Sequence, residues 1–550
     1  MHQPEYRDLQ TGEFNLPWTY LHVIKDYVDM VAHLEAEPKA KAVVNFAPIL
    51  LEQIEEYARQ VDGYLQGRIT IRDPLLAALI DPGIPADAEQ RMKLVKDCMR
   101  ANRERQINRY PAFKNLIEMA DWLEHHRDAL TYINSQFISD ILAWYHLAWM
   151  GETIKLGDSR IKRLIEKGSG YTLHDRIEIV EVIAEQLSGI ICRYKALAKR
   201  GQVELSVTPY AHPIMPLLLD LNSTHEAMPG ALLPELDSYP GGAERIHWHL
   251  EKGVQTFKRL FGFKPKGCWP SEGSICDLTL KILGDFGFDW TASGGSVLAN
   301  SLNLPENAKQ SGIYHPFKLK GTDIACFFRD DGLSDLIGFE YSTWHGDDAV
   351  ADLVRHLENI AGDESGDQVV SIIMDGENAW EYFPDNGYHF LSALYQRLVS
   401  HPGIELTTFS ECLQNKVEVK PLAKMVAGSW VYGTFSTWIG DADKNRGWDM
   451  LGDAKQIFDQ VISTDRLTTK QVQLAEFQLA VCEGSDWFWW FGDYNPGEAV
   501  SNFEKQFRLN LANLYKLLGE QPPAYLAMSF TQGSGAPAMG GAMRQGVELT

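Results

Sequence analysis

Paired cysteines, long apolar runs and a signal-peptide pattern are all lacking in this 550-residue sequence. Its seven cysteines are scattered, odd in number and never spaced as Cys-x-x-Cys, which argues against a disulfide framework and favours a reducing compartment. No apolar run reaches the roughly 18 residues that cross a bilayer. The segment from Met1 to Asp8 is polar, unlike a secretory leader. We therefore expect a cytoplasmic protein that has no membrane partner.

Positive charge is also scarce, with 51 basic against 74 acidic residues and a net charge of -23. This balance disfavours polyanionic partners, so no nucleic-acid binding is expected, whereas a neutral ligand such as a glucan is compatible with it. Phosphate-loop, dinucleotide-binding and Gly-x-Ser-x-Gly motifs are lacking as well. The pair His247 and His249 has no third ligand at a suitable spacing. The sequence thus predicts neither a cofactor nor a metal.

Short apolar segments do alternate with longer helical patterns, which is typical of a parallel sheet with crossover helices. The strand candidates are residues 41–46, 203–207, 266–269, 288–291, 324–328 and 369–374. The clearest helical patterns are residues 18–34, 50–65, 138–149, 177–197, 242–261, 467–490 and 499–518.

This pattern predicts three parts of the chain. Residues 1–412 form an α/β barrel unit with a helical insertion over about 85–200, and residues 413–530 form a helical domain that contributes to the cleft. The Gly/Ala-rich residues 531–550 are predicted to be a disordered tail.

Two acidic residues stand where strand candidates end. Glu272 and Asp375 each follow an apolar or aromatic run and precede a glycine. In an α/β barrel, strand ends form the catalytic rim, and two carboxylates there are the minimum equipment for cutting a glycosidic bond. Glu377 is the competitor of Asp375 for the acid role, or else it orients that acid.

Five segments together resemble the five sequence regions of glycoside hydrolase family 57. They are Met1-His2-Gln3-Pro4, residues 201–214, residues 267–272, residues 374–378 and residues 483–490. The resemblance spans most of the chain and implies a (β/α)7 barrel followed by a helical domain. Family members carry a short strand and a further histidine before the first region. The resemblance therefore implies an incomplete barrel here, with the first strand either upstream of Met1 or lost.

The resemblance also implies roles for individual residues. Glu272 is the nucleophile and Asp375 the general acid/base of a retaining mechanism on α-glucans such as starch, glycogen or maltooligosaccharides. His2 and Glu204 are implied to bind sugar hydroxyls, and the last region brings Asp486 and Trp487 to the site. That region is most similar to the α-amylase and amylopullulanase members. A 4-α-glucanotransferase, a branching enzyme and a non-catalytic glucan-binding protein are the alternatives.

Further candidates come from residue chemistry. Trp269, beside Glu272, is a candidate for packing on a sugar face, and Trp430 and Trp438 are expected in a second sugar-contacting loop. His212, in a Pro-flanked turn, either lines the cleft or stabilises the turn. Arg329 either keeps Glu272 ionised or makes a structural ion pair.

The Trp-rich segment after Asp486 is predicted to be helical. On a helix, Trp487 and Trp490 share a face, and Trp489 is expected to pack elsewhere.

Overall fold

One mostly parallel sheet organises the protein. The computed structural model describes residues 1–305, 312–363 and 367–535. Within these ranges the sheet has seven strands: β1 (Ala42–Phe46), β2 (Val203–Val207), β3 (Gly267–Cys268), β4 (Trp290–Gly294), β5 (Phe317–Leu319), β6 (Ala325–Arg329) and β7 (Lys420–Leu422). Five of them lie at or beside predicted positions. β5 and β7, of three residues each, were not predicted.

The strands follow the order β1-β2-β3-β4-β6-β5-β7. All neighbours up to β6 are parallel, whereas β5 runs antiparallel to β6 and parallel to β7. The strand predicted at 369–374 makes one parallel bridge, from Ser371 to Arg329. It therefore extends the parallel ladder beyond β6 as a sixth position.

Met1 supplies the seventh position of the ladder, on the other side of β1. Its ammonium group donates to the Asn45 carbonyl at 2.9 Å, and its own carbonyl accepts from the Ala47 N–H at 2.9 Å. The two ends of the ladder then meet, because the His2 N–H donates to the Glu377 carboxylate at 2.8 Å. The result is a (β/α)7-type ring whose first position is only one residue deep.

Helices surround this ring. Those before β2 are α1 (Trp18–His22), α2 (Val28–Ala36), α3 (Pro48–Leu65), α4 (Pro74–Ile80), α5 (Ala88–Asp97), α6 (Pro111–His125), α7 (Ser135–Trp149), α8 (Glu152–Gly157), α9 (Ser159–Lys167) and α10 (Leu173–Lys199). A π-helical turn, Val23–Tyr27, joins α1 to α2. The stretch from α4 to α10 contains the predicted helical insertion. Side chains cap two of the helices in this stretch: Asp73 caps the start of α4, and a capping box of Thr172 and Asp175 begins α10.

The later helices follow the remaining strands. They are α11 (Met215–Leu219), α12 (Gly242–Phe261), α13 (Asp277–Asp285), α14 (Gly295–Leu302), α15 (Asp331–Asp335), α16 (Gly346–Asp363), α17 (Tyr388–Val399), α18 (Phe409–Gln414), α19 (Ala442–Ile462), α20 (Thr469–Cys482), α21 (Ser485–Trp490) and α22 (Gly497–Leu517). No helix within the described ranges combines the length and apolar character that a membrane span requires.

The helix predicted over 467–490 is two helices, α20 and α21. Gly484 is extended there (φ -60°, ψ 140°), and the Ser485 N–H donates to the His212 carbonyl at 2.9 Å. A tertiary hydrogen bond thus ends one helix and begins the next. In the predicted tail, the Ser534 and Gly535 N–H groups donate to the carbonyls of Asp493 and Asn495. Residues 536–550 of that tail lie outside the described residues.

Apolar side chains fill the ring at the amino ends of its strands. Trp290 and Ala325, the first residues of β4 and β6, pack with Phe327 and with α18. The Phe409 ring of α18 stacks on Phe327 at 4.2 Å and meets Trp290 edge-on at 4.6 Å. Because this end is closed, the carboxyl ends of the strands are the open face, where α/β barrels place their sites.

Candidate active site

Glu272 follows β3 in a left-handed backbone conformation (φ 55°, ψ 28°). A non-glycine residue held there costs about 1–3 kcal/mol and persists only where its surroundings hold it. Trp430 supplies that support twice. Its backbone N–H donates to the Glu272 carbonyl at 3.1 Å, and its indole N–H donates to the carboxylate Oε2 at 2.9 Å. The carboxylate is therefore buried, with 5% of the residue exposed, and fixed in direction.

Two stacked histidines lie beside this carboxylate. The His2 and His212 rings are parallel within 7°, with centroids 4.0 Å apart. His2 Nε2 lies 3.1 Å from Asp486 Oδ1 and 3.6 Å from Glu272 Oε1. His212 Nδ1 lies 3.9 Å from the same Glu272 oxygen and 2.8 Å from the Ser485 hydroxyl. The structure thus brings together four residues that the sequence analysis proposed for the site.

The two histidines titrate in opposite directions. Burial lowers the pKa of His2, but the carboxylates of Asp486 and Glu272 outweigh burial and raise that pKa to about 10. Burial and the neighbouring His2 cation hold the pKa of His212 well below its usual value. Near pH 7 the stack therefore contains one cation, on His2, and one neutral imidazole.

Burial raises the pKa values of both candidate catalytic acids. The pKa of Glu272 rises to about 7; the His2 cation opposes this rise and the charge of Asp375 adds to it. The pKa of Asp375 is raised by burial and by Glu377, against the effect of His2. Neighbouring buried carboxyls titrate as a pair. Because Trp430 donates a hydrogen bond to Glu272, the negative charge of the pair is favoured on Glu272.

Asp375 and Glu377 have different surroundings. Glu377 is 2% exposed and accepts hydrogen bonds from the His2 N–H and from the Tyr27 hydroxyl. Asp375 lines a cavity whose walls include the rings of Phe339, Trp430 and Trp489. Glu377 is thus engaged in joining the ends of the ring, whereas Asp375 lines a small cavity.

Arg329, the last residue of β6, does not pair with Glu272 in the structure. Its guanidinium bonds to Asp331 and Asp335 at 2.9 Å each, which is the structural ion pair considered from the sequence. The same group lies 5.1 Å above the centre of the Trp430 ring. It therefore contacts the site through Trp430.

The structure separates the tryptophan candidates. Trp269 meets Trp430 edge-on at 5.4 Å, close to Glu272. Trp438 is fully buried and packs at 5.8 Å on Trp489. Trp487 is 1% exposed and donates its indole N–H to the Val481 carbonyl at 2.7 Å. Trp430 and Trp489, rather than Trp438 and Trp487, line the cavity at Asp375.

Trp487 and Trp490 do share a face, as predicted, since both rings pack on Phe503. Trp489, expected to pack elsewhere, points into the cavity because this short helix meets the barrel on its other face. No sequence spacing links Trp430 to Glu272, because 158 positions separate them.

Glu204 lies near the amino end of β2, away from the rim. Its carboxylate accepts from the Trp290 indole at 2.7 Å and from the Ser410 N–H at 3.0 Å. These bonds hold the amino end of α18 inside the ring. The Glu204 carboxylate is thus engaged by internal partners and does not reach the rim, where the resemblance implied a sugar contact.

His2, His212 and Glu272 each offer a ligand atom within 4.8 Å of the others, a spacing that metal sites share. Hydrogen bonds account for the orientation of both rings, because His2 Nε2 lies 3.1 Å from Asp486 Oδ1 and His212 Nδ1 lies 2.8 Å from the Ser485 hydroxyl.

A buried charge cluster supports the segment that carries Asp486. Glu483, 1% exposed, accepts from Arg245 and His249 at 2.8 Å and from the Tyr239 hydroxyl at 2.6 Å. These partners hold the pKa of Glu483 at about 2 in spite of its burial. His249, half of the rejected His247/His249 metal pair, is engaged here. The cluster fixes the end of α20 two residues before α21 begins.

A seven-position α/β barrel with two carboxyls at its carboxyl rim has the arrangement that a glycoside hydrolase or transglycosylase requires. The chain belongs to glycosyl hydrolase family 57, whose family model matches residues 1–426. This membership confirms the resemblance found in the sequence and places the protein among enzymes that act on α-glucans. A comparison with curated proteins finds no match.

Solved structures with the same fold include two branching enzymes of family 57 and an α-amylase. A branching enzyme from Pyrococcus horikoshii is 16% identical, with a TM-score of 0.55 and 96% and 91% of the two chains covered. One from Thermococcus kodakaraensis, solved with glucose, is also 16% identical, with a TM-score of 0.54 and coverages of 96% and 90%. An α-amylase from Thermotoga maritima is 14% identical, with a TM-score of 0.54 and coverages of 94% and 92%. At these identities the comparison shows the shared fold.

Proposed function

We propose that this protein hydrolyses α-glucans by a retaining double displacement, with Glu272 as nucleophile and Asp375 as general acid/base. The observation that carries the proposal is the unequal setting of the two carboxyls. Glu272 accepts the Trp430 indole N–H at 2.9 Å and lies 3.6 Å from the His2 cation, whereas Asp375 faces the cavity. An ionised carboxylate and a protonated one are what the reaction requires.

In the first step, Glu272 attacks the anomeric carbon while Asp375 gives its proton to the glycosidic oxygen, which leaves on the shortened chain. In the second step, Asp375 removes a proton from water, and the resulting attack at the anomeric carbon releases Glu272. The paired His2 and Asp486 lie next to Glu272 and are proposed to hold sugar hydroxyls there. The proposed unit is residues 1–412, and the part of the chain after it contributes Trp430, from the loop before α19, and Asp486 and Trp489, from α21, to the cleft.

Transfer is the second candidate, because it differs only in whether water or a sugar hydroxyl attacks the glycosyl-Glu272 intermediate. The rings of Phe339, Trp430 and Trp489 lie beside Asp375, and aromatic faces are the surfaces on which the C–H groups of a sugar acceptor would pack. A 4-α-glucanotransferase or a branching enzyme would use these surfaces.

The seven free cysteines, six of them buried, support the expectation of a reducing, cytoplasmic environment.

Product analysis tests the proposed function. The enzyme is incubated with soluble starch and with maltooligosaccharides, and products are separated by size and linkage. We expect reducing ends to rise without longer products, and we expect Glu272→Gln to abolish this while the exposed α12 control Glu251→Gln does not. A ladder of longer oligomers would assign a glucanotransferase, and new α-1,6 linkages a branching enzyme. Unchanged substrates would reject the α-glucan proposal.

The pH dependence of kcat/KM should report Glu272. Because burial raises the pKa of Glu272 to about 7, this carboxyl keeps its proton below that pH and cannot attack. We expect kcat/KM to fall as pH decreases through about 7. His2→Gln removes the cation that favours ionised Glu272. In this variant the fall of kcat/KM on the acid side of the pH profile, the acid limb, should move to higher pH. An acid limb that stays in place would contradict the proposed ion pair.

A further inference from the structure

Hydrogen bonds to the protein engage all three nitrogens of the Arg329 guanidinium. Its Nε donates to the Ile373 carbonyl, its Nη1 to Asp331 and its Nη2 to Asp335, each at 2.9 Å. Arg329 is 4% exposed, so solvent contributes little. Its ion-pair partners are Asp331 and Asp335 rather than Glu272. The guanidinium also has a flat face.

That face lies over Trp430, 5.1 Å from the ring centre. A guanidinium over an indole is attracted to the ring, and more strongly when both groups are desolvated. A cation in this position draws electron density from the ring and makes the indole N–H a stronger donor. The acceptor of that N–H is Glu272 Oε2, at 2.9 Å.

The Arg329 guanidinium also bonds to the segment that carries Asp375. The Ile373 carbonyl that accepts from Nε lies two residues before Asp375. The backbone of β6 supports the same segment, because Arg329 bridges Ser371 and the Asp330 N–H donates to the Ser371 carbonyl at 2.8 Å. This segment makes no other bridge to the sheet within the described residues. Two further hydrogen bonds hold it, from the Val369 N–H to the Tyr314 carbonyl at 2.8 Å and from the Ile373 N–H to the Ser334 hydroxyl at 3.3 Å. The Arg329 side chain adds the bond to the Ile373 carbonyl, close to Asp375.

We propose that Arg329 is a positioning residue that couples the two catalytic carboxyls, ordering Trp430 over Glu272 through its face and the Asp375 segment through its edge. The proposal rests on the catalytic roles proposed above for Glu272 and Asp375. Asp331 and Asp335 neutralise Arg329 and orient it. Lysine does not replace it, because an ammonium group has neither a flat face nor a planar fork of donors.

The test compares Arg329→Lys, Arg329→Gln and Trp430→Phe. Arg160→Lys and Arg160→Gln are matched controls, since Arg160 also bonds to two carboxylates, Asp158 and Glu185, but in α9. The readouts are the pH profile of kcat/KM and the pH titration of the Trp430 indole ¹⁵N–¹H signal, assigned by its loss in Trp430→Phe. The indole titration follows Glu272 without requiring turnover. Thermal unfolding of each variant identifies losses that come from instability.

We expect Arg329→Lys to lower kcat/KM about 100-fold, the size typical of a small misplacement of catalytic groups. Its acid limb and indole midpoint should both move up by about one pH unit, because a weaker indole donor stabilises ionised Glu272 less. Trp430→Phe should move the acid limb similarly, and the double variant Arg329→Gln/Trp430→Phe should be far from additive. The Arg160 controls should match the parent enzyme.

Three results would overturn the coupling. One is full activity in Arg329→Lys, which would mean that charge alone is sufficient. Another is an unmoved acid limb and indole midpoint with losses that follow thermal stability, which would mean a structural role. The third is additive losses in the double variant. A failure of the proposed function is distinguishable, because Glu272→Gln would then remain active whatever the Arg329 variants show.

Discussion

Asp375→Asn is expected to lower kcat/KM on α-glucans by about 10³-fold, within the range typical of a lost general acid. The amide keeps the shape of the side chain but has no proton to give to the leaving oxygen. An aryl glycoside with a good leaving group needs less protonation, so its loss in the first step should be smaller. Turnover of soluble starch and of an activated aryl maltoside measures both effects.

Azide then separates the two catalytic roles. In Asp375→Asn, azide attacks the glycosyl-Glu272 intermediate without base assistance, so turnover should rise and the product should be the α-glycosyl azide. In Glu272→Ala, azide enters from the empty nucleophile side and should give the β-glycosyl azide. Identical azide anomers from both variants would contradict these assignments.

Glu377→Gln is the matched control for Asp375→Asn. The Gln carbonyl oxygen can still accept from the His2 N–H and the Tyr27 hydroxyl, the two bonds that Glu377 makes. We therefore expect a loss of no more than about tenfold, because no proton-transfer step is removed. If Glu377→Gln were inactive and Asp375→Asn active, the two acids would exchange roles.

Glu483→Ala is expected to produce the largest loss of stability, about 3–5 kcal/mol, because it leaves Arg245 buried without its carboxylate. The free energy of unfolding in urea measures this loss. Glu55→Ala is the control, since its pair with Arg259 is exposed and such pairs are worth about 0–1 kcal/mol. Equal losses in the two variants would show that the buried cluster does not support the fold.

The same cluster predicts an acid dependence of stability. The pKa of Glu483 is about 2 in the folded protein, below the value of about 4.3 for a free glutamate. The carboxyl therefore stabilises the fold fully above pH about 4.3, and that contribution is lost as pH falls towards about 2. In Glu483→Gln, this part of the pH dependence should be missing. Because Glu483 lies just before α21, its loss should also weaken the Asp486–His2 contact.

Local pattern was sufficient where an element is stabilised by its own neighbours in sequence. The helix over 242–261 was predicted with the bounds that the structure has, since a strong apolar stripe and Gly262 (φ 86°) define it. The strands at β1 and β2 were predicted within one residue. Local pattern failed at β5, at β7 and at the break before α21, where partners distant in the chain determine the structure.

The candidate site divides in the same way. Glu272, Asp375, His2 and Asp486 were found from the sequence because each stands within a short motif. Trp430 as the donor to Glu272, and the stack of His2 on His212, depend on residues far apart in the chain. Glu204 shows the converse: its motif suggested the rim, whereas its position near the start of β2 directs its carboxylate to α18.

The sequence by itself determined the family, the barrel with its helical insertion, and the two carboxyls proposed for catalysis. Strand ends and motif glycines are local features, and they can be recognised in the sequence without knowing which distant residues they contact. The tertiary structure decided that Trp430 supports Glu272, that Met1 and His2 join the ends of the ring, and that Arg329 lies between both carboxyl-bearing segments. Those contacts depend on how strands and loops meet in space, which no spacing along one chain encodes.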